Sequence, residues 1–256
     1  MMMSALRTAL SGLGLRWGRW VLLGLLVAVV TPAQAQQFSL DLGEGASTSS
    51  RMIQLILLMT VLSVAPSILM MVTSFTRIVV VLSFLRQALG TQSSPPNMVV
   101  VSLALFLTAF VMTPTFQASY EQGIRPLIEN KIDEQEAVIR AIKPIHAFMI
   151  KQVREHDLQL FMDLSHSKPV TDQADIPLQA LVPAFMISEL RRAFEIGFLI
   201  FLPFIIIDMV ISSILMSMGM MMLPPTTISM PFKLIFFVLV DGWYLVCGSL
   251  VQSFTP

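Results

Sequence analysis

The chain has 256 residues, of which 55% are hydrophobic and 12% charged, against about 25% charged in a typical soluble domain. With a mean hydropathy of +0.77, this composition excludes a disordered chain, a disulfide scaffold and a nucleic-acid binder driven by a basic surface. The 16 Lys+Arg balance the 16 Asp+Glu, and too few polar side chains exist to cover soluble domains of this length, so the composition is that of an integral membrane protein.

Arg7, Arg16 and Arg19 precede an apolar run from Trp20 to Val30, followed by Ala33-Gln34-Ala35. A basic start, a short apolar stretch and an A-x-A site predict a cleavable signal peptide over 1–35, cut after Ala35. The run is shorter than the about 20 residues a spanning helix needs; a retained first anchor is the alternative. Losing those three arginines leaves 13 basic against 16 acidic residues. Residues 36–50, rich in Gly and Ser, read as a periplasmic lead.

The first long apolar segment runs from about Met52 to Leu85. It exceeds one straight span, and Pro66 removes a helical donor, so a kink or hairpin is expected there. Arg77 and Arg86 lie toward its far end with no acid nearby in sequence and favour a cytoplasmic loop, GTQSSPPN over 90–97. A second segment, Met98 to Met112, is expected to stop at Thr113-Pro114. Residues 51–118 thus read as a first kinked membrane hairpin.

Residues 119–182 form a charged insert. Positions 121–192 hold 9 basic and 11 acidic residues, most of the charge in the chain. Helical stretches between Ile124 and Phe161 are expected to break at Pro126 and Pro144, with a loop over 165–177. Alternation from an outside N-terminus puts this insert, and the C-terminus, in the periplasm. A third segment runs from Val182-Pro183 to Met222, and Leu223-Pro224-Pro225 turns the chain into a fourth, Pro231 to about Val251. Residues 183–256 read as a second helical hairpin. The fold class is an all-α membrane protein, and no repeat of 20–50 residues is visible.

Several residues could carry chemistry. Asp208 and Asp241 are acids inside apolar helices, where ionisable groups are costly and are functional candidates. Their contexts, Ile207-Asp208-Met209 and Val240-Asp241-Gly242, lack the G-x-G-D of an aspartyl intramembrane protease, so capping, hydrogen bonding or a contact between subunits fits better. His146, His156 and His166 are spaced by ten, unlike the i, i+4 pair of a zinc helix, and read as solvated. Cys247 reads as core filling. No phosphate loop, nucleophile elbow or redox Cys pair appears, so neither an enzyme nor a cofactor is expected.

Glu189 and Arg192 are spaced i, i+3, and Arg191 and Glu195 i, i+4; a solvated helix start and a set of contacts between helices or subunits both fit. Lys233, the one cation after Arg192, begins an apolar helix and needs a partner or an aqueous interface. Met209, Met216, Met218, Met220, Met221, Met222 and Met230 place seven of the 19 methionines within 22 positions. Flexible thioethers fill irregular cores, or, in an oligomer, could form a deformable apolar ring around a pore.

The run Pro183-Ala184-Phe185-Met186-Ile187-Ser188-Glu189-Leu190-Arg191-Arg192-Ala193-Phe194-Glu195-Ile196-Gly197-Phe198 resembles the signature of the FliP family, as do Pro231-Phe232-Lys233-Leu234 and Asp241-Gly242-Trp243. Thr73-Ser74-Phe75-Thr76-Arg77, Leu85-Arg86-Gln87-Ala88-Leu89-Gly90-Thr91 and Pro95-Pro96-Asn97 agree with it. Met98 and Tyr244 depart from the family pattern, and the insert resembles it less strongly.

The resemblance implies a pore-forming component of the flagellar type III secretion export gate in the bacterial inner membrane. It implies a ring of copies, five by the family pattern, of kinked helical hairpins joined by FliR and FliQ, with FlhB and FlhA nearby, passing unfolded flagellar proteins. By the same resemblance Glu189 and Lys233 form a salt bridge between subunits, and Met220, Met221 and Met222 form a gasket. The homologous component of a virulence injectisome, or a conventional ion channel or transporter, are the alternatives.

Overall fold

The computed structural model describes residues 48–91, 94–165, 172–220 and 222–254. The expected signal peptide with its Ala35 site, residues 36–47 of the lead, His166 and Met221 lie outside the described residues. The chain divides into two compact units, Met1–Leu58 and Met59–Pro256. Of the first, only the helical residues from Thr48 are described; the second holds the packed helices and both cores.

Every regular element among the described residues is helical. Helix α1, Thr48–Met71, continues through Pro66, so the break expected there falls several residues later. One missing bond does not stop a 24-residue apolar helix; prolines are tolerated in membrane helices where neighbouring groups re-satisfy the freed backbone. The chain turns instead at 72–74, where the Phe75 amide donates to Thr73 Oγ1 at 3.4 Å. A short hydroxyl side chain here offers the backbone an alternative to the next helical bond.

Helix α2, Phe75–Ala88, is buried along Phe75, Ile78, Val81, Leu82, Leu85 and Ala88. The i, i+3, i+4 stripe is that of a helix seated on a core. At 14 residues it is about 21 Å long, short of the about 30 Å hydrocarbon layer. Burial rather than lipid holds it.

Helix α3, Asn97–Ser119, passes through Pro114. It runs on through a π-turn, Tyr120–Ile124, into α4, Arg125–Ile128. The expected stop at Thr113-Pro114 is therefore absent. Pro126 follows the π-turn directly, in the first turn of α4, and does not break the run. The helix ends where Asn130 takes φ 53°. The π-turn brings Gly123 against the next helix: a Cβ there would lie 2.7 Å from the Ala137 carbonyl oxygen.

Helix α5, Glu134–Gln152, starts on Asp133, whose carboxylate accepts from the Glu136 amide, and continues unbroken through Pro144. Helix α6, Glu155–Leu164, follows a two-residue corner. A 3-10 turn, Gln173–Asp175, leads into α7, Leu178–Ser217, with Pro183 and Pro203 inside it. At 40 residues α7 is about 60 Å long, twice what the hydrocarbon layer requires.

Helix α7 ends at Ser217, not Met222 as expected. Gly219, at φ 75°, donates to the Met216 carbonyl at 3.1 Å, and Met220 donates to Leu215 at 3.0 Å. These two bonds, with glycine in the left-handed conformation, form a Schellman C-cap. The expected fourth segment is two helices, α8, Pro225–Leu239, and α9, Gly242–Gln252, bent by 64°. Asp241 takes φ 50° at the bend. Gly242 packs where a Cβ would lie 2.1 Å from the Phe237 ring.

The main core joins α2 to Val100 and Ala104 of α3, Ala193 and Phe204 of α7, Phe237 of α8 and Leu250 of α9. Helices α2 and α7 run parallel: Arg77 meets Glu189, and further along Phe84 meets Phe194 and Phe201 at ring centroid distances of 5.1 and 6.1 Å. The Phe84 ring lies across Gly197, whose missing Cβ makes the room. A second core packs Met149 of α5 against Leu181 and Phe185 of α7.

Among the described residues, Met52–Met71, Asn97–Ile128 and Leu178–Ser217 are long and apolar enough to cross a membrane, and the bent α8–α9 pair would make a fourth.

Candidate functional site: buried ion pairs and a methionine turn

Arg77 lies one turn into α2 and is 1% exposed. Its Nε donates to Glu189 Oε2 at 2.8 Å, and Nη2 donates to Glu189 Oε1 and, at 3.1 Å, to Gln152 Oε1. Nη1 donates to the Ser253 carbonyl at 3.2 Å and to its Oγ at 3.1 Å. The guanidinium thus has a contact for each of its N–H groups, and its Cζ lies 3.8 Å from the Phe254 ring centre. Glu189, 0% exposed, is held by a bidentate fork, the strongest geometry for this pair.

Gln152 extends the cluster. Its oxygen also accepts from Arg192 Nη1 at 3.1 Å, and its Nε2 donates to the Phe254 carbonyl at 3.4 Å. Residues from α2, α5, α7 and the C-terminal end of the described chain therefore meet on one buried charge.

Next to Glu189, Ser188 Oγ donates to Asp157 Oδ2 at 2.7 Å and accepts from the Arg154 amide at 3.0 Å. One hydroxyl on α7 so fixes the start of α6.

The second pair, a buried Lys233 with a half-buried Asp208, lies further along. Lys233 Nζ donates to Asp208 Oδ2 at 2.6 Å and to the Ala88 carbonyl at 3.3 Å. Ser229 Oγ donates to Asp208 Oδ1. Lys233 is 5% exposed and places its ammonium at the C-terminal end of α2, where the helix dipole favours a cation. Helix α2 is thus held near its start by Arg77–Glu189 and at its end by Lys233, with both acids on α7.

Within this single chain, Glu189 and Lys233 are bonded to other partners, Arg77 and Asp208. Arg191 and Glu195 form the expected i, i+4 pair at 3.0 Å, both exposed. Arg192 turns to Gln152 rather than back to Glu189. Asp241 is exposed at the α8–α9 bend. Met220 and Met222 are 48% and 99% exposed on the turn after α7.

His146 is half-buried, with Nε2 2.8 Å from the Ile176 carbonyl oxygen, which ties α5 to the approach of α7. His156 is exposed. No group of three or more His, Cys, Asp or Glu placed to hold a metal occurs among the described residues.

Sequence reading missed Gln152, Asp157, Ser188 and Ser229, and left Arg77 a topology marker. Arg77 carried one usable signal: a cation in an apolar helix with no acid within reach in sequence must find one in space.

Residues 58–250 match the FliP family. The chain is 57% identical over 235 residues to the flagellar biosynthetic protein FliP of Caulobacter vibrioides, covering 91% of this chain and 88% of that protein. It is 58% identical over 205 residues to the protein of that name from Bacillus subtilis, covering 80% and 93%. The one from Agrobacterium fabrum is 49% identical over 239 residues, covering 91% and 98%. The chain belongs to the FliP family.

Proposed function

We propose that this chain forms the pore of the flagellar type III export gate, passing unfolded flagellar proteins across the bacterial inner membrane. The observation that carries this reading is how much apolar helix the chain leaves uncovered. On α7, Phe198, Leu199, Ile206 and Met209 are 63, 63, 61 and 64% exposed; on α8, Val238 and Leu239 are 75 and 79%. Apolar surface of this extent needs lipid or further subunits, and α7 is too long for lipid alone to cover. The relatives' shared name, flagellar biosynthetic protein, supplies the process.

In this reading several copies, five by the family pattern, assemble with FliR and FliQ beside FlhB and FlhA. The insert, residues 119–182, and the C-terminus face the periplasm, and cleavage after Ala35 frees the N-terminus. Met220, Met221 and Met222 line the closed pore. Arg191, Arg192, Glu195 and Asp241 belong to joints between helices or copies. A Glu189–Lys233 bridge between copies would add to, or exchange with, the pairs each residue makes inside its own chain.

Native mass spectrometry of the detergent-solubilised complex tests this. Several copies together with FliR- and FliQ-like chains are expected. A homo-oligomer that carries small solutes alone would instead make the chain a conventional channel or transporter.

A further inference from the structure

The methionine turn is the loop of a hairpin between α7 and α8, and among the described residues one polar cluster fastens the two helices. Asp208 lies about two and a half turns before the end of α7. Across from it, Ser229 Oγ donates to Asp208 Oδ1, and Lys233 Nζ donates to Oδ2 at 2.6 Å. Both carboxylate oxygens are therefore bonded, and by one helix. After Arg192 the sequence contains a single cation, Lys233, and the fold sets it on the acid that lies across the turn.

The fastening is also anchored outside the hairpin. Lys233 reaches the Ala88 carbonyl at 3.3 Å, at the end of a helix buried in the main core. Beyond it Met216, Met218, Met220 and Met222 are 58, 57, 48 and 99% exposed. The hairpin is fastened at Asp208 and exposed toward its tip.

We infer that Asp208 is the positioning residue of the gate: with Ser229 and Lys233 it clasps the base of the α7–α8 hairpin and so fixes where the methionine turn sits. Neutralising it leaves the Lys233 ammonium, 5% exposed, without the counter-ion it has inside its own chain, and a buried cation so left is drawn toward water or toward another acid such as Glu189 of a neighbouring copy. Helix α8 then moves with it, and the turn loses its set position. This inference rests on the reading of that turn as the gate.

The test uses the assembled complex with spin labels at Ser217→Cys and Thr227→Cys in a Cys247→Ala background, diluted with unlabelled chain. The parent is expected to give one narrow distance across the hairpin. Asp208→Asn is expected to broaden it and to raise ion leak through the closed complex in planar bilayers; Asp208→Glu, which keeps the charge, restores both. An unchanged distance in Asp208→Asn overturns the clasp. A broadened distance without leak upholds the clasp and removes the gate reading instead. Should Asp208→Asn fail to accumulate, Ser229→Ala is expected to broaden the distribution less, and an unchanged distribution there overturns the clasp equally.

Discussion

Arg77 and Glu189 lie 112 positions apart in the chain, yet share a bidentate ion pair in which both side chains are buried. The pair joins a 14-residue helix too short to span a membrane to a 40-residue one that overshoots it. Around it gather Gln152, Ser253 and Phe254.

Arg77→Ala should strand the Glu189 carboxylate and cost about 3–5 kcal/mol, the usual effect of breaking a buried pair from one side. Arg77→Lys should recover only part of this, because an ammonium lacks the planar fork. Replacing both partners, Arg77→Leu with Glu189→Leu, should be milder than Arg77→Ala alone. Thermal unfolding of the purified protein in detergent gives the order. Equal melting temperatures for Arg77→Ala and the parent would contradict the assignment.

Gly123 and Gly248 make opposite predictions for the same substitution. A Cβ at Gly123 would meet the Ala137 carbonyl oxygen and Ala141 Cβ at 2.7 Å, whereas one at Gly248 meets nothing within 4 Å. Gly123→Ala should therefore destabilise by about 1–3 kcal/mol through overpacking. Gly248→Ala, within α9, should be neutral or gain up to about 1 kcal/mol. The same melting measurement distinguishes them, and similar shifts for both would refute the close α5 contact at the π-turn.

Ser188→Ala removes the hydroxyl that serves Asp157 and the Arg154 amide together. Leaving buried polar groups unsatisfied costs about 1–3 kcal/mol. The loss should be local, so hydrogen exchange should accelerate in residues 153–164 before the rest of the insert. Uniform exchange across 134–164 would show that Ser188 does not hold α6 in particular.

The helical class, three of the four long apolar segments and the Arg191–Glu195 pair were legible because each depends on local spacing. Where the helices break was not. Pro66, Pro114 and Pro144 all lie inside continuous helices, while the chain bends at 72–74 and at Asp241. A proline removes one bond whatever its surroundings; whether the helix survives depends on the neighbours that compete for the freed carbonyl, and those are tertiary. The partners of Glu189, Asp208 and Lys233 were invisible for the same reason: no spacing rule links positions 77 and 189, or 88 and 233. The family resemblance pointed to Glu189 and Lys233 as a pair, whereas one chain alone gives each a different counter-ion.

The proposed role of the turn after α7 is to seal a protein-conducting pore. Met220, Met221 and Met222 replaced together by Ala should leave the complex assembled, since Met220 and Met222 are exposed on the turn, but remove the bulk that closes it. Ion conductance of the purified complex in planar bilayers tests this most directly. Open-level current in the triple variant, against a closed parent of the same subunit composition, is the expected result; equal conductance in the two would contradict the claim.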